Sequence, residues 1–525
     1  MGSLRPAKRV LLITNSEHGQ ANVFLATSYA LLTLNDDDVE VHFASFPPIE
    51  KFVSLTTQHA LRDSSRARPI TFHPIDGIDM VSAWTRPELV SEQEGLKAID
   101  VIKLIYAIRR MMLLLKITLP WTGPEFVQIL FSVIDIVHKV QPDVIAVDPA
   151  FSPALTALRQ IRAKFVVLSP NTIKDFAMPH QPNGEPLWKY PCIGTYFPFP
   201  VPLVHIPANI LLVLLAIILA AFFDSHRRSV QRHVAFHVPG ARLTTLNDLS
   251  LNTHLGIRFL VANLPEIDFP LAVTPASIIP CGPMIRPALP LKEADPALAA
   301  WLGRAPTVYV NLGTHMLLDE GMAVDMATAL RIALDAVEAV LWRDSKLKGL
   351  QVLWKLNRRG NYEVGKKGCK VWDVLGDEMM RSGRVKVVEW FEAEPTAVLE
   401  GGRVVCAVHH GGANSFLETV SAGIPQVVLP VWMDTYDFAR RAEILGIGRW
   451  GNQGTEFGVI FKGQELGSAL VDVLIGGKSS VYQRRARELA DLCKRSGGGR
   501  VIAARQILAE ITRDSSHDTS DGEKI

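Results

Sequence analysis

The densest group of side chains that could do chemistry is His409-His410-Gly411-Gly412-Ala413-Asn414-Ser415. It follows the apolar run 404–408, which reads as a buried parallel strand. Phe416, Leu417, Val420 and Ala422 then return at helical spacing, and Gly423 and Pro425 stop that helix. A second apolar run at 426–429 completes a strand, glycine turn, helix, strand unit, which builds a parallel sheet. Gly411 and Gly412 let backbone approach a ligand closely. Asn414 and Ser415 place short polar groups where the free N–H groups and positive dipole end of a helix favour an anion such as phosphate. His410 can add a hydrogen bond, and Glu418, one turn on, suits the two hydroxyls of a ribose. A plainer reading competes, in which Asn414 or Ser415 only caps the helix and the glycines only form a turn.

A second group lies near the start. Residues 9–14 form a short apolar strand, 15–20 are polar, and Val23, Phe24, Ala26, Thr27, Ala30 and Leu31 give a helical pattern. His18 thus sits at the carboxyl end of a first parallel strand, where open sheets bind ligands. An imidazole there can take a proton from a hydroxyl near neutral pH. Such a base works best with a carboxylate behind it. Asp148, at the carboxyl end of the strand at 144–147, is the expected partner, ahead of Asp143, which precedes that strand. The competing readings are a turn histidine and an aspartate that caps the helix near Pro153.

The register of His410, Gly412, Asn414, Ser415, Glu418, Gly423, Pro425, Pro430 and Asp434 resembles the donor signature of the family 1 UDP-glycosyltransferases, the UDP-glucosyl and glucuronosyl transferases, and in particular a fungal-type natural-product enzyme. The resemblance implies an α/β chain of the GT-B fold, two Rossmann-like doubly wound domains facing a cleft. It makes His18 the catalytic base, with Leu25 and Ala26 in the expected places after it, and Asp148 its partner. Thr314, His410, Gly412, Asn414 and Ser415 would meet the diphosphate, Glu418 the ribose and Trp390 the uracil, while Asp434 and Thr435 would hold sugar hydroxyls. Four departures stand out: Glu17 replaces a glycine before the base, Thr314 a serine, Phe391-Glu392-Ala393 a Pro-Gln pair, and Thr435 a glutamine. The implied reaction is inverting transfer of a sugar, glucose first, from a UDP-sugar co-substrate to a hydroxyl of a lipophilic terpenoid or polyketide. No metal or other cofactor is expected. A sterol or lipid glucosyltransferase and a non-catalytic UDP-sugar-binding membrane partner are the alternatives.

These groups need elements to hold them. A chain of 525 residues is long for one core. The expected division is an acceptor domain at 1–284, a proline-rich linker at 285–300, a donor domain at 301–512 and a disordered tail at 513–525. Strands are expected near Arg242 and Ser277, and one amphipathic helix at 483–510 is expected to cross back to the first domain. Residues 77–119 read as mostly helical and, with 165–199, as the acceptor pocket. A net charge of +2 does not suit a nucleic-acid partner. Five scattered cysteines give neither a disulfide framework nor a zinc pattern and fit a reducing compartment. No signal peptide is read at the start, so the cytosolic face is expected. Residues 190–223 carry no Asp, Glu, Lys or Arg. The apolar segment 206–223 within them has three readings: lying in a membrane surface, buried in the acceptor domain, or spanning a bilayer, for which about 20 apolar residues are needed. Asp36-Asp37-Asp38 reads as a solvated turn rather than a metal site, and Gly476-Gly477-Lys478-Ser479 lacks the earlier glycine of a phosphate-binding loop.

Overall fold

The computed structural model describes residues 7–34, 38–86, 104–251, 256–340, 345–454 and 460–513. The tail at 514–525, most of the acidic triplet and residues 87–103 of the expected helical region lie outside this set.

Two parallel sheets organise the chain. The first holds β1 (Lys8–Ile13), β2 (Val39–Ser45), β3 (Thr71–Pro74), β4 (Val144–Val147), β5 (Phe165–Ser169), β6 (Phe259–Val261) and β7 (Ile278–Pro280) in the order 3-2-1-4-5-6-7. The second holds β8 (Thr307–Asn311), β9 (Gln351–Lys355), β10 (Val385–Val388), β11 (Val404–His409), β12 (Gln426–Val428) and β13 (Gly448–Trp450) in the order 10-9-8-11-12-13. Every described strand pair is parallel. This follows from the sequence, because strands such as Val144–Val147 are apolar on both faces and must be covered on both. The expected pair of doubly wound α/β sheets is therefore present. In each, the strand order reverses between the first strand and the fourth, at β1/β4 and at β8/β11. Ligand crevices of open sheets form at such points.

Six helices position the site. They are α1 (His18–Thr33), α2 (Ile206–Ile218), α3 (Ser225–His237), α4 (Ala413–Ala422), α5 (Thr435–Ile444) and α6 (Gly499–Arg513). The single helix expected at 483–510 is two, Ser479–Arg495 and α6, because Gly497 and Gly498 take φ of +88° and +80°. α6 returns to the first sheet: Ile507 and Leu508 join its core, Glu510 pairs with Arg258, and the Glu510 carbonyl accepts from Lys164. No strand forms at Arg242. The backbone there is tied by side chains instead, Leu243 N to Gln231 Oε1 and Thr244 N to Thr156 Oγ1, and the first strand after β5 is β6.

The two halves meet at α5. Arg441 donates to Asp268 at 2.9 Å and to Thr172 at 2.7 Å. Arg440 binds Asp437 at 2.8 Å and reaches the Thr195 and Phe197 carbonyls, and Lys174 pairs with Asp437. All five charged groups are buried. Removing one partner of such a set leaves a buried charge unmatched, at about 3–5 kcal/mol.

The apolar segment is helical through Ile218 and ends in one wider π turn, Leu219–Phe223. Asn209 ties it down, its side chain accepting from Cys192 N and donating to the Leu187 and Tyr190 carbonyls. Leu212 and Leu219 pack on Met111 and Cys192. The opposite face is open, with Leu211, Leu214, Ile217, Ile218, Phe222 and Phe223 exposed. The buried-helix reading therefore does not hold, since only one narrow stripe of this element meets the domain. By length and composition alone, 203–237 is the one helical stretch among the described residues that could cross a membrane.

Candidate functional site

β11 delivers two histidines with different fates. His409 is buried, its Nε2 lies 2.6 Å from Gln426 Oε1, and its Nδ1 accepts from Gly411 N at 3.1 Å. Burial pushes this imidazole down to about 4, so it stays neutral and braces the turn. His410 points the other way. A Cβ on Gly412 would lie 2.6 Å from its Nε2, and one on Gly313 2.6 Å from its Cε1. The ring is thus clasped between the glycine that follows β8 and the one that starts α4. Burial pushes it down to about 3, with the His409 and His315 rings adding to the effect. Its Nδ1 is buried with no hydrogen-bond partner among the described residues. A buried polar atom without a partner costs roughly 1–3 kcal/mol unless something fills the place. Gly411 needs its φ of +87°, and a Cβ there would meet Thr435 O at 2.8 Å.

No side chain caps α4, whose N-cap is Gly412. The capping alternative for Asn414 and Ser415 thus does not apply. Asn414 instead reaches across the cleft, donating to the carbonyls of His18 and Gly19 at 3.5 and 3.4 Å. Ser415 and Glu418 line a pocket with Tyr309, Asn311 and His409. Glu418 also lines a second pocket with Asn22, Arg286 and Asn414. Burial pushes its carboxyl up to about 7, against the pull of Arg286. Thr314 is exposed on the loop after β8. Trp390 is 66% exposed, and the Lys355 ammonium, at the end of β9, lies 3.9 Å from its ring centre. Lys355 is itself buried with no hydrogen-bond acceptor among the described residues, and desolvation lowers its pKa.

Asp434 is the residue that precedes α5. Burial, then the charge of Asp175, pushes its carboxyl up to about 7. Thr435 corrects the sequence expectation. It is 1% exposed, its hydroxyl accepts from Val431 N and Trp432 N at 3.1 Å each, and it donates to the Trp432 carbonyl. The turn itself uses this hydroxyl, so it is not free for a sugar.

Across the cleft, His18 is the first residue of α1, with its ring edge-on to Phe52 at 4.5 Å. Desolvation lowers its pKa, opposed by the charge of Glu17. Asp148 is fully buried at the end of β4, yet it does not hydrogen-bond to His18. Its Oδ2 accepts from Thr14 Oγ1 at 3.0 Å and Asn15 Nδ2 at 2.6 Å, and its Oδ1 from Ala150 N at 2.8 Å. Asn15 Oδ1 in turn accepts from Glu17 N at 2.6 Å. The expected direct pair is therefore replaced by a chain from Asp148 through Asn15 to the loop that presents His18. The residues that the motifs did not reveal are Asn15, Glu17, Arg286, His315 and Lys355. Only Glu17 left a signal, as a charge in place of a glycine.

Residues 209–479 match the family description "UDP-glucoronosyl and UDP-glucosyl transferase". Glycosyltransferase sdnJ of Sordaria araneosa is 32% identical over 95% of this chain and 96% of its own length. UDP-glycosyltransferase stmC of Aspergillus ustus is 24% identical over 48% of this chain and 45% of its own length. Among solved structures, a UDP-glucosyltransferase from Polygonum tinctorium capable of glucosylating indoxyl superposes over 97% of this chain and 100% of its own, with a TM-score of 0.58 and 16% identity. The glycotransferase of kitacinnamycin covers 96% of this chain and 99% of its own, with a TM-score of 0.56 and 16% identity.

Proposed function

Because the chain belongs to the UDP-glucoronosyl and UDP-glucosyl transferase family, and is accordingly a UDP-dependent glycosyltransferase, we propose that it moves glucose from UDP-glucose to a hydroxyl of a lipophilic small molecule with inversion. The observation that carries this reading is the partnerless, buried Nδ1 of His410 beside the uncapped start of α4, opposite His18. A neutral imidazole there donates to a phosphate oxygen without first losing a charge. The N–H groups of α4, the Ser415 hydroxyl and Thr314 hold the diphosphate, and Gly412 lets it approach. Trp390 stacks the uracil, Glu418 takes the ribose, and Asp434 receives the sugar hydroxyls.

His18 removes the acceptor proton. Its lowered pKa keeps the ring neutral and able to accept that proton at neutral pH. The acceptor oxygen attacks the anomeric carbon from the face opposite the phosphate. Developing charge on UDP is met by groups already in place, which is why little reorganisation is needed. His18→Ala should abolish transfer while leaving UDP affinity unchanged. Normal turnover in that variant removes His18 from the role.

The acceptor is a terpenoid, a polyketide or, in a second reading, a membrane sterol. The open apolar face of α2 favours delivery from lipid. One side of α2 is fixed to the domain through Asn209, Leu212 and Leu219, which suits lying in one leaflet at the cytosolic face and not spanning. Exposed Arg228 and Arg232 on α3 stand ready for lipid phosphates. Incubation with UDP-glucose and UDP-xylose against terpenoid, polyketide, phenolic and sterol panels, read by mass spectrometry, identifies the pair.

A further inference from the structure

The loop that carries Thr314 brings a second imidazole to the cleft. His315 Nε2 lies 3.7 Å from Glu17 Oε1, in the opposite domain. Glu17 Oε2 accepts from Gln20 N at 2.9 Å, so one carboxylate both starts α1 and holds His315. The Glu17 side chain is 15% exposed and that of His315 47%. The His315 ring is thus set against Glu17 and still about half exposed. It stands close enough to His410 to help lower that ring's pKa, and Gly313, two residues before it, packs against the same ring. Burial alone would raise Glu17, but its contacts with His315 and with the Gly19 and Gln20 backbone hold it below the usual carboxylate range. It is thus an anion at neutral pH. The charge that replaces a glycine beside the base has its partner across the cleft.

We propose that His315 is a further donor-binding residue that hydrogen-bonds the diphosphate leaving group, and that Glu17 is its positioning residue. This rests on the reading that the diphosphate sits at the His410 turn. With the Nε2 edge of the ring facing the Glu17 carboxylate at 3.7 Å, the Nδ1 edge is the one left to meet a phosphate oxygen. In the transfer, the acceptor O–H proton passes to His18, and the acceptor oxygen bonds the anomeric carbon. The bond from that carbon to the β-phosphate oxygen breaks, and its electron pair stays on the oxygen. His315 donates to that oxygen as its charge grows, and His18 later gives its proton to water. Arg286, Lys51 and Glu394 are the other charged groups near the base, and none bonds His315.

The test is calorimetric titration of the full chain with UDP and, separately, with uridine, which lacks the phosphates. His315→Gln should weaken UDP about ten- to hundredfold, the scale of one hydrogen bond to a charged group, and leave uridine within twofold. Glu17→Gln should weaken UDP in the same direction, and adding it to His315→Gln should cost nothing more. Equal losses for UDP and uridine, or UDP binding within twofold of the parent, overturn the proposal. Ser415→Ala separates the two levels. If it weakens UDP while His315→Gln does not, only the His315 assignment fails. If neither weakens UDP, the diphosphate reading fails and takes this proposal with it.

Discussion

Asp148→Asn distinguishes two ways in which a buried carboxylate can serve a base. The Asp148 carboxylate accepts from Thr14 Oγ1, Asn15 Nδ2, Asn15 N and Ala150 N. An amide offers one oxygen and one NH2 group, so whichever way it turns, at least one of these donors faces another donor. Each unmatched buried donor costs about 1–3 kcal/mol. The variant should therefore lose about 1–3 kcal/mol of stability, a large share of the typical 5–15 kcal/mol total. Asn15 also holds Glu17 N, so the His18 loop shifts and kcat falls. Burial pushes the Asp148 carboxyl up to about 7, so the variant removes a group that titrates near neutral pH and the acidic limb of the pH–rate profile should change. The His18 midpoint should stay where it is, because the carboxylate does not touch that ring. Thermal unfolding and the pH dependence of kcat/KM, measured on the same preparation, give both readouts. A His18 ring midpoint, read by NMR titration, that moves by a pH unit while the unfolding temperature is unchanged would show that Asp148 bonds His18 in the working enzyme, and the chain through Asn15 would be refuted.

Two further outcomes follow from the same geometry. His409 is held at about 4 when folded against an ordinary 6.5, so its neutral form contributes stability fully present above 6.5. That stability fades as pH falls from 6.5 towards 4, by on the order of 3 kcal/mol in all, and chemical unfolding at stepped pH should show His409→Gln with a shallower acid loss than the parent. Phe222 and Phe223 are 68% and 57% exposed on the open side of the apolar segment. Changing both to Glu should abolish flotation with vesicles of mixed neutral and anionic lipid while leaving UDP binding intact, and undiminished flotation would dismiss the leaflet reading.

Local patterns carried far into this molecule. The apolar run before His409, the paired glycines and the helical return of Phe416 and Val420 gave β11, its turn and α4, because the hydrogen bonds and burial that make this unit lie within a short stretch. His18 was placed at the end of β1 by the same logic. What failed depends on distant partners. Whether Asp148 faces His18 or Asn15 is decided by side-chain angles within a buried loop. Thr435 looked like a ligand contact because its hydroxyl is short and polar, yet the tight turn after Pro430 claims it, with Met433 at φ +38°. The split of the expected final helix was written in Gly497 and Gly498, two glycines inside an otherwise charged amphipathic pattern. The contact between Glu17 and His315 joins residues nearly 300 positions apart, and no period or spacing encodes it.

The buried ions under α5 bear on how such enzymes can be recombined. Arg440, Arg441 and Asp437 lie in the half that holds the second sheet, but Lys174, which pairs with Asp437, and Asp268, which pairs with Arg441, belong to the other half. A hybrid cut anywhere between residues 285 and 300 would import a foreign set of counter-charges and strand an arginine or an aspartate in the dry seam. Exchange of acceptor range between relatives should succeed only when the segments around 172–175 and 268 travel with the helix they neutralise.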